Sequence, residues 1–162
     1  MTIKAGDKIP AATFTVMTSD GPKPLTTQEL FAGKRVVLFS VPGAFTPTCS
    51  AKHLPGFVNH ADEILGKGVD TIACMAVNDV FVMNAWGKSA NASKLKMLAD
   101  GNGEFAAAIG LELDATGFGM GNRSQRFALI ADDGVVSKLF VEAPGEFKVS
   151  SAEYVLSQLT DD

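Results

Sequence analysis

The stretch Val36-Val37-Leu38-Phe39-Ser40, continuing as Val41-Pro42-Gly43-Ala44-Phe45-Thr46-Pro47-Thr48-Cys49-Ser50, decides how the chain is read. Its first five residues are a continuous apolar run of strand length, which predicts a central strand covered on both faces. Thr46 is a suitable N-cap and Pro47 suits a first helical position, so Cys49 falls in the first turn of the next helix. That helix is expected over about residues 47–65, ending near Gly66 or Gly68, with Pro55 kinking or breaking it.

Outward from this segment, strands and helices alternate. Thr71-Ile72-Ala73-Cys74-Met75-Ala76-Val77 reads as a second buried strand, and Asn78-Asp79 caps a helix from residue 80 to about 88. A third strand is expected at 96–99 and a short helix at 104–109. Two apolar runs, 127–130 and 135–141, flank Asp132-Asp133-Gly134, a strong hairpin signal. Toward the N-terminus, Asp20-Gly21-Pro22 separates two short extended pieces, a second hairpin. Thr26 and Glu29 form a capping box for a short helix stopping at Gly33; Ser150 and Glu153 suggest another for a last helix ending near Leu159. The order implies an α/β fold: a mixed central sheet with a parallel core, flanked by helices and extended by an N-terminal hairpin. Residues 1–162 read as one domain, and chemistry is expected beyond the carboxyl ends of the strands, after Ser40.

Composition narrows the function. The 162 residues are 46% hydrophobic and 20% charged, which excludes a disordered chain, and 16 Gly with 7 Pro in no period exclude a collagen-like one. With 14 basic and 18 acidic residues the net charge is −4, so a nucleic-acid partner is not expected. Two cysteines cannot make a disulfide-dense scaffold. Residues 1–8 lack the apolar run of a signal peptide, and runs such as 72–77 and 80–83 fall well short of the roughly 20 residues that span a bilayer. A cytoplasmic protein in a reducing compartment is expected; a mature organellar form stripped of its transit peptide would read the same.

At a helix start, unpaired N–H groups and the helix dipole favour an anion, so Cys49 sits where a nucleophilic thiolate is stabilised. Thr46, three residues earlier, could hydrogen-bond the sulfur or a bound oxygen ligand. The competing reading is a buried cysteine acting as a small hydrophobe. Two His and two distant Cys give no metal-ligand spacing, so no metal is expected, nor any other cofactor. Gly117-Phe118-Gly119-Met120-Gly121 does not bridge a strand and a helix as a dinucleotide loop must; it reads as a loop with a close packing role.

Pro42, Thr46 and Cys49 match the P-x-x-x-T-x-x-C signature of the peroxiredoxins, thiol-dependent peroxidases on a thioredoxin-like fold. The longer match through His53-Leu54-Pro55-Gly56-Phe57, Cys74-Met75-Ala76-Val77-Asn78-Asp79, Trp86-Gly87, Gly121-Asn122-Arg123-Ser124-Gln125-Arg126-Phe127 and Asp132-Asp133-Gly134 resembles the type II, peroxiredoxin-5-like subfamily over nearly the whole chain. The resemblance implies that Cys49 is the peroxidatic cysteine, oxidised by hydrogen peroxide or alkyl hydroperoxides to a sulfenic acid. It implies that Thr46 holds the peroxide, that Pro42 shields the site from water, and that the N–H groups of Thr48 and Cys49 donate to the peroxide oxygens. Arg126 matches the arginine over the thiolate, a role that suits its permanent charge and fork of donors. Arg123 either supports the site or faces solvent.

Cys74 lies in a predicted buried strand and is read as a core cysteine, although a resolving role is argued for this position in plant-type members. A direct bond to Cys49 would need Cα atoms within about 7 Å, which a buried strand and a helix start reach only by local unfolding. The other resolving position of the subfamily falls in Gly145-Glu146-Phe147-Lys148-Val149-Ser150, which has no cysteine. Glutathione with glutaredoxin is therefore favoured over thioredoxin as reductant. His53 could tune the thiolate but reads as structural or surface, and His60 as solvated. A homodimer is expected through Phe45, Phe81, Phe118 and Met120, as type II members commonly dimerise through these loops. The competing functions are a peroxide-sensing redox switch and a disulfide oxidoreductase; the latter normally needs C-x-x-C, and Thr46 stands where its second cysteine would be.

Overall fold

A computed structural model describes residues 2–159. The chain runs β1 (Thr13–Thr18), β2 (Gly21–Thr26), α1 (Thr27–Phe31), β3 (Arg35–Ser40), a π-helical turn (Cys49–His53), α2 (Leu54–Asn59), α3 (Ala61–Leu65), β4 (Thr71–Ala76) and α4 (Val80–Ser89). It continues through β5 (Lys96–Ala99), α5 (Glu104–Ile109), β6 (Glu112–Asp114), a 3-10 turn (Thr116–Phe118), β7 (Asn122–Ser124), β8 (Phe127–Asp132), β9 (Val135–Val141) and α6 (Ala152–Gln158). One seven-stranded sheet has the order β2-β1-β5-β4-β3-β8-β9. Its centre is parallel, β3 on β4 and β4 on β5, and the two hairpins add antiparallel strands on either side. This is the mixed, helix-flanked sheet that the alternating pattern predicts.

The continuous apolar run in β3 has the cause inferred for it. Val36 and Leu38 face one side, with Leu30 and Phe31 of α1 and Phe105 of α5. Val37 and Phe39 face the other, with Leu54, Phe57, Ile64, Trp86 and Val155 from α2, α3, α4 and α6. Both faces are buried, and each such side chain contributes about 1.5–3 kcal/mol by leaving water. The local signals also hold: Thr26 and Glu29 form a reciprocal capping box, and the Asp79 carboxylate accepts from the Val82 N–H at the start of α4.

Four expectations need correction. The helix from 47 to 65 is not continuous. Leu54 N–H bonds back to Cys49 O across a widened turn, Pro55 lies in the first turn of α2, and a second break falls at His60. Proline has no N–H and crowds the turn before it, and the chain relieves this one turn early. The last helix is capped by Ser151, whose hydroxyl accepts from Tyr154 N–H, not by Ser150. Residues 112–124 form a small hairpin, β6 on β7, in place of the expected loop. Its glycines do not serve close packing: a Cβ at Gly117, Gly119 or Gly121 would meet nothing within 4 Å. Gly119 and Gly121 instead supply φ of +72° and +66°, which other residues adopt at a cost.

Candidate active site

The loop 41–48 leaves the carboxyl end of β3 and is pinned to the end of β4. Val41 N–H donates to Met75 O (3.1 Å) and Ala44 N–H to Asn78 Oδ1 (2.9 Å). Phe45 takes a positive φ of 64°, a strained conformation for an aromatic residue that turns the chain into the helical turns starting at Pro47. A side chain at Gly43 would press within 3.1 Å of the Met120 methyl and 3.2 Å of Thr46 Cγ2, so either neighbour would have to give by a few tenths of an ångström.

The first backbone closure after this loop is Ser50 N–H to Thr46 O (2.9 Å). The N–H groups of Thr48 and Cys49 precede it, and a helix start leaves such donors without intrahelical partners. Thr46 Oγ1 donates to Gly43 O at 2.6 Å. Its one proton is thereby committed, and its lone pairs are left to accept. Pro42 is half-buried at the edge of this loop. Trp86 Nε1 donates to Ser50 Oγ (3.0 Å), fixing the turn from the α4 side.

Cys49 is buried and reduced, as is Cys74. Arg126, the residue before β8, donates from Nη2 to Cys49 Sγ at 3.1 Å. Its Nη1 lies 2.7 Å from His53 Nδ1, and His53 Nε2 lies 2.9 Å from Ser150 O. The partners decide the tautomer. Arginine only donates and a carbonyl only accepts, so Nδ1 carries the lone pair and Nε2 the proton. Phe39 and Phe147 pack on the imidazole at 4.8 and 5.0 Å between ring centres, and Phe147 lies 5.9 Å from the Arg126 guanidinium.

Of the two alternatives read from the sequence, structural or surface, the surface one is excluded: His53 is fully buried and bonded between Ser150 O and Arg126. The signal was its place four residues after Cys49 on one helical face. Glu142, Ser150 and Phe147, which complete the surroundings, carry no local signal. Arg123 does not face solvent freely. It donates to Met120 O (2.9 Å) and Val77 O (3.1 Å), tying the β6–β7 turn to the end of β4. His60 is only partly exposed and lies 2.8 Å from Glu63 Oε1. Cys74 sits in β4 opposite Phe39; burial, and then the nearby Cys49, push its thiol pKa well up, against a smaller opposing pull from Arg126.

Burial, and then the Arg126 charge, lower the His53 pKa to about 3, while its bond to Ser150 O works the other way. At neutral pH the ring is uncharged, and Arg126 is the cation facing the sulfur. An unfolded histidine titrates near 6.5, so between about pH 3 and 6.5 the unfolded chain binds the extra proton. The stabilisation is complete above pH 6.5 and is lost as pH falls toward 3. At pH 4 the loss from this residue amounts to roughly 3 kcal/mol. Urea midpoints measured from pH 4 to 7 should rise steeply for the native sequence and markedly less for His53→Gln.

A cavity of about 590 Å³ between β1, α4 and β5, lined by Val16, Thr18, Asn84, Lys88 and Met97 among others, holds none of Cys49, Thr46 and Arg126. Among the described residues no group of three or more His, Cys, Asp or Glu could hold a metal, and no helix is long and apolar enough to cross a membrane.

A thiol under an arginine at the carboxyl ends of a thioredoxin-like sheet defines a class of thiol-dependent redox enzymes, and residues 4–156 match the Redoxin family. The chain is 50% identical to Arabidopsis thaliana peroxiredoxin-2B over 97% of its length and 98% of that protein. It is 52% identical to the chloroplastic peroxiredoxin-2E-2 of Oryza sativa, over 98% of its length and 73% of that protein. Among solved structures, reduced Prx3 of Vibrio vulnificus in complex with hydrogen peroxide superposes with a TM-score of 0.95 at 54% identity, covering 98% of this chain and 99% of that one. The chain belongs to the type II, peroxiredoxin-5-like peroxiredoxins and is a thiol peroxidase.

Proposed function

We propose that Cys49 is the peroxidatic cysteine of a one-domain enzyme spanning residues 1–162, reducing hydrogen peroxide and small alkyl hydroperoxides with glutathione and glutaredoxin as the reductant. The observation that carries this is the 3.1 Å bond from Arg126 to Cys49 Sγ, supported by the hydrogen peroxide named in the Vibrio vulnificus relative's complex. The thiolate attacks the terminal oxygen of the peroxide. A sulfur–oxygen bond forms, the O–O bond breaks, and the departing RO⁻ takes a proton to become water or an alcohol. Thr46 Oγ1, its proton held by Gly43 O, accepts the peroxide hydroxyl. The N–H groups of Thr48 and Cys49, with Arg126, face the developing charge; fixed donors of this kind are worth about 3–4 kcal/mol each in comparable sites. Pro42 keeps water from the sulfur.

Cys49 is then a sulfenic acid, the reversible first stage of cysteine oxidation. One thiol condenses with it, releasing water, and a second reduces the mixed disulfide. Cys74 is buried in β4 and acts as a core cysteine, and the 145–150 loop has no cysteine, so both thiols come from outside the chain. Peroxide consumption by the purified protein, with glutathione–glutaredoxin and thioredoxin systems side by side, tests this. Faster turnover with the glutathione system supports it, and turnover with thioredoxin alone refutes that choice of reductant. The cytoplasm is the proposed compartment.

The enzyme is further proposed to act as a homodimer. Phe45, Phe81 and Phe118 are 55%, 64% and 86% exposed, which leaves them free to enter an interface between two copies of the chain. Met120, in the same set of loops, touches the active-site loop near Gly43. Phe81→Asp should weaken the dimer and slow turnover while leaving the circular dichroism spectrum unchanged. Sedimentation of the native protein as a fully active monomer at micromolar concentration would refute the dimer.

A further inference from the structure

We propose that Glu142 is a positioning residue for the peroxidase reaction, holding the 143–151 loop so that Ser150 and His53 aim Arg126 at Cys49. The inference rests on the assignment of Cys49 and Arg126 above. Glu142 lies just past β9, opposite Arg126, and its N–H donates to Arg126 O (3.0 Å). Its side chain turns inward and is only 8% exposed. One oxygen, Oε2, accepts three bonds: from Lys148 N–H (2.7 Å), Ser150 N–H (2.8 Å) and Ser150 Oγ (2.7 Å).

A carboxylate is costly to bury unless it is fully hydrogen-bonded. Here the bonds come from residues six and eight positions further on, so they fold the loop back over the site. That fold delivers two things. The Ser150 carbonyl accepts the His53 Nε2 proton (2.9 Å), which leaves the Nδ1 lone pair for Arg126 (2.7 Å). Phe147, midway along the loop, lies against both the guanidinium (5.9 Å) and the imidazole (5.0 Å). Glu142 therefore fixes Arg126 from its main chain through the strand pairing and from its side chain through the loop. Released from the loop, the arginine keeps its charge but loses the second tether that makes one orientation the preferred one.

The test compares Glu142→Ala, Glu142→Gln, Ser150→Ala and Arg126→Ala by two readouts: the stopped-flow rate with hydrogen peroxide, and alkylation of Cys49 by iodoacetamide at pH 9, where peroxide geometry is irrelevant. Glu142→Ala is expected to slow the peroxide reaction by roughly 10- to 100-fold, as misplacing a site group by about 1 Å does, without slowing alkylation. Glu142→Gln should recover part of the peroxide rate, because its amide oxygen keeps an uncharged acceptor with two lone pairs where Oε2 stands. Ser150→Ala, which removes only one bond, should show a smaller loss and keeps the test valid if Glu142→Ala does not fold. A native peroxide rate in Glu142→Ala, or, where that variant does not fold, in Ser150→Ala, overturns the proposal; so does a Gln variant as slow as the Ala one. Loss in Arg126→Ala but not in the Glu142 and Ser150 variants overturns this inference alone, whereas loss in none of them overturns the assignment of Arg126 as well.

Discussion

Cys49→Ser should abolish peroxide turnover, while Cys74→Ser should keep a substantial part of it with glutathione and glutaredoxin. A serine hydroxyl at position 49 is not ionised at neutral pH and cannot replace the sulfur as the nucleophile that Arg126 contacts. No other thiol can take over: Cys74 is buried within β4 and its environment disfavours the thiolate. Placing a hydroxyl in that apolar strand costs about 1–3 kcal/mol unless it finds a partner, so Cys74→Ser should lose stability more than activity. Cys74→Ala separates the two effects. Equal loss of activity in the Cys49 and Cys74 variants would show that resolution needs both thiols within the chain.

The second large effect belongs to Arg126. Arg126→Ala removes the charge beside Cys49 Sγ and, in the proposed mechanism, one of the donors to the peroxide. It also leaves the buried His53 Nδ1 without its partner, an unsatisfied acceptor costing about 1–3 kcal/mol. The bimolecular rate with peroxide should fall about 100- to 1,000-fold, the usual loss for a fixed donor at a developing oxyanion. Arg126→Lys should recover only part of the rate, because a single ammonium lacks the fork that reaches the sulfur and the imidazole together. The single tryptophan, Trp86, bonded to Ser50 beside Cys49, is the natural fluorescence probe. A native peroxide rate in the Ala variant would count against Arg126 as the partner of Cys49.

What could be read from the sequence follows the range of the interactions. The buried strand at β3, the Thr26–Glu29 and Asp79 caps and the two hairpins rest on neighbours within a few positions, and local residue types announce them. The signature loop was legible for the same reason: Pro42, Thr46 and Cys49 lie within one turn and a short loop. The π-helical turn was less so. Pro55 signalled a break, but the widening falls one turn before it, where Leu54 N–H reaches back to Cys49 O. Long-range partners were the least legible. His53 meets Ser150 across 97 positions and Arg126 across 73, and nothing near His53 distinguishes an orienting imidazole from a core one. Glu142 at the end of β9 looks like any solvated acid until the loop from 143 to 151 closes on it. The sequence points to Ser150 as the helix cap; Ser150 is instead bonded to Glu142, and the Ser151 hydroxyl caps α6.

The central claim, that Cys49 alone is the thiol that reacts with peroxide, is tested most directly by trapping. The reduced protein is treated with one equivalent of hydrogen peroxide in the presence of dimedone, and its peptides are mapped by mass spectrometry. A single dimedone adduct on Cys49, with Cys74 still a free thiol, is the predicted result. An adduct on Cys74, a disulfide joining Cys49 to Cys74, or an unmodified Cys49 after the peroxide is consumed would contradict it.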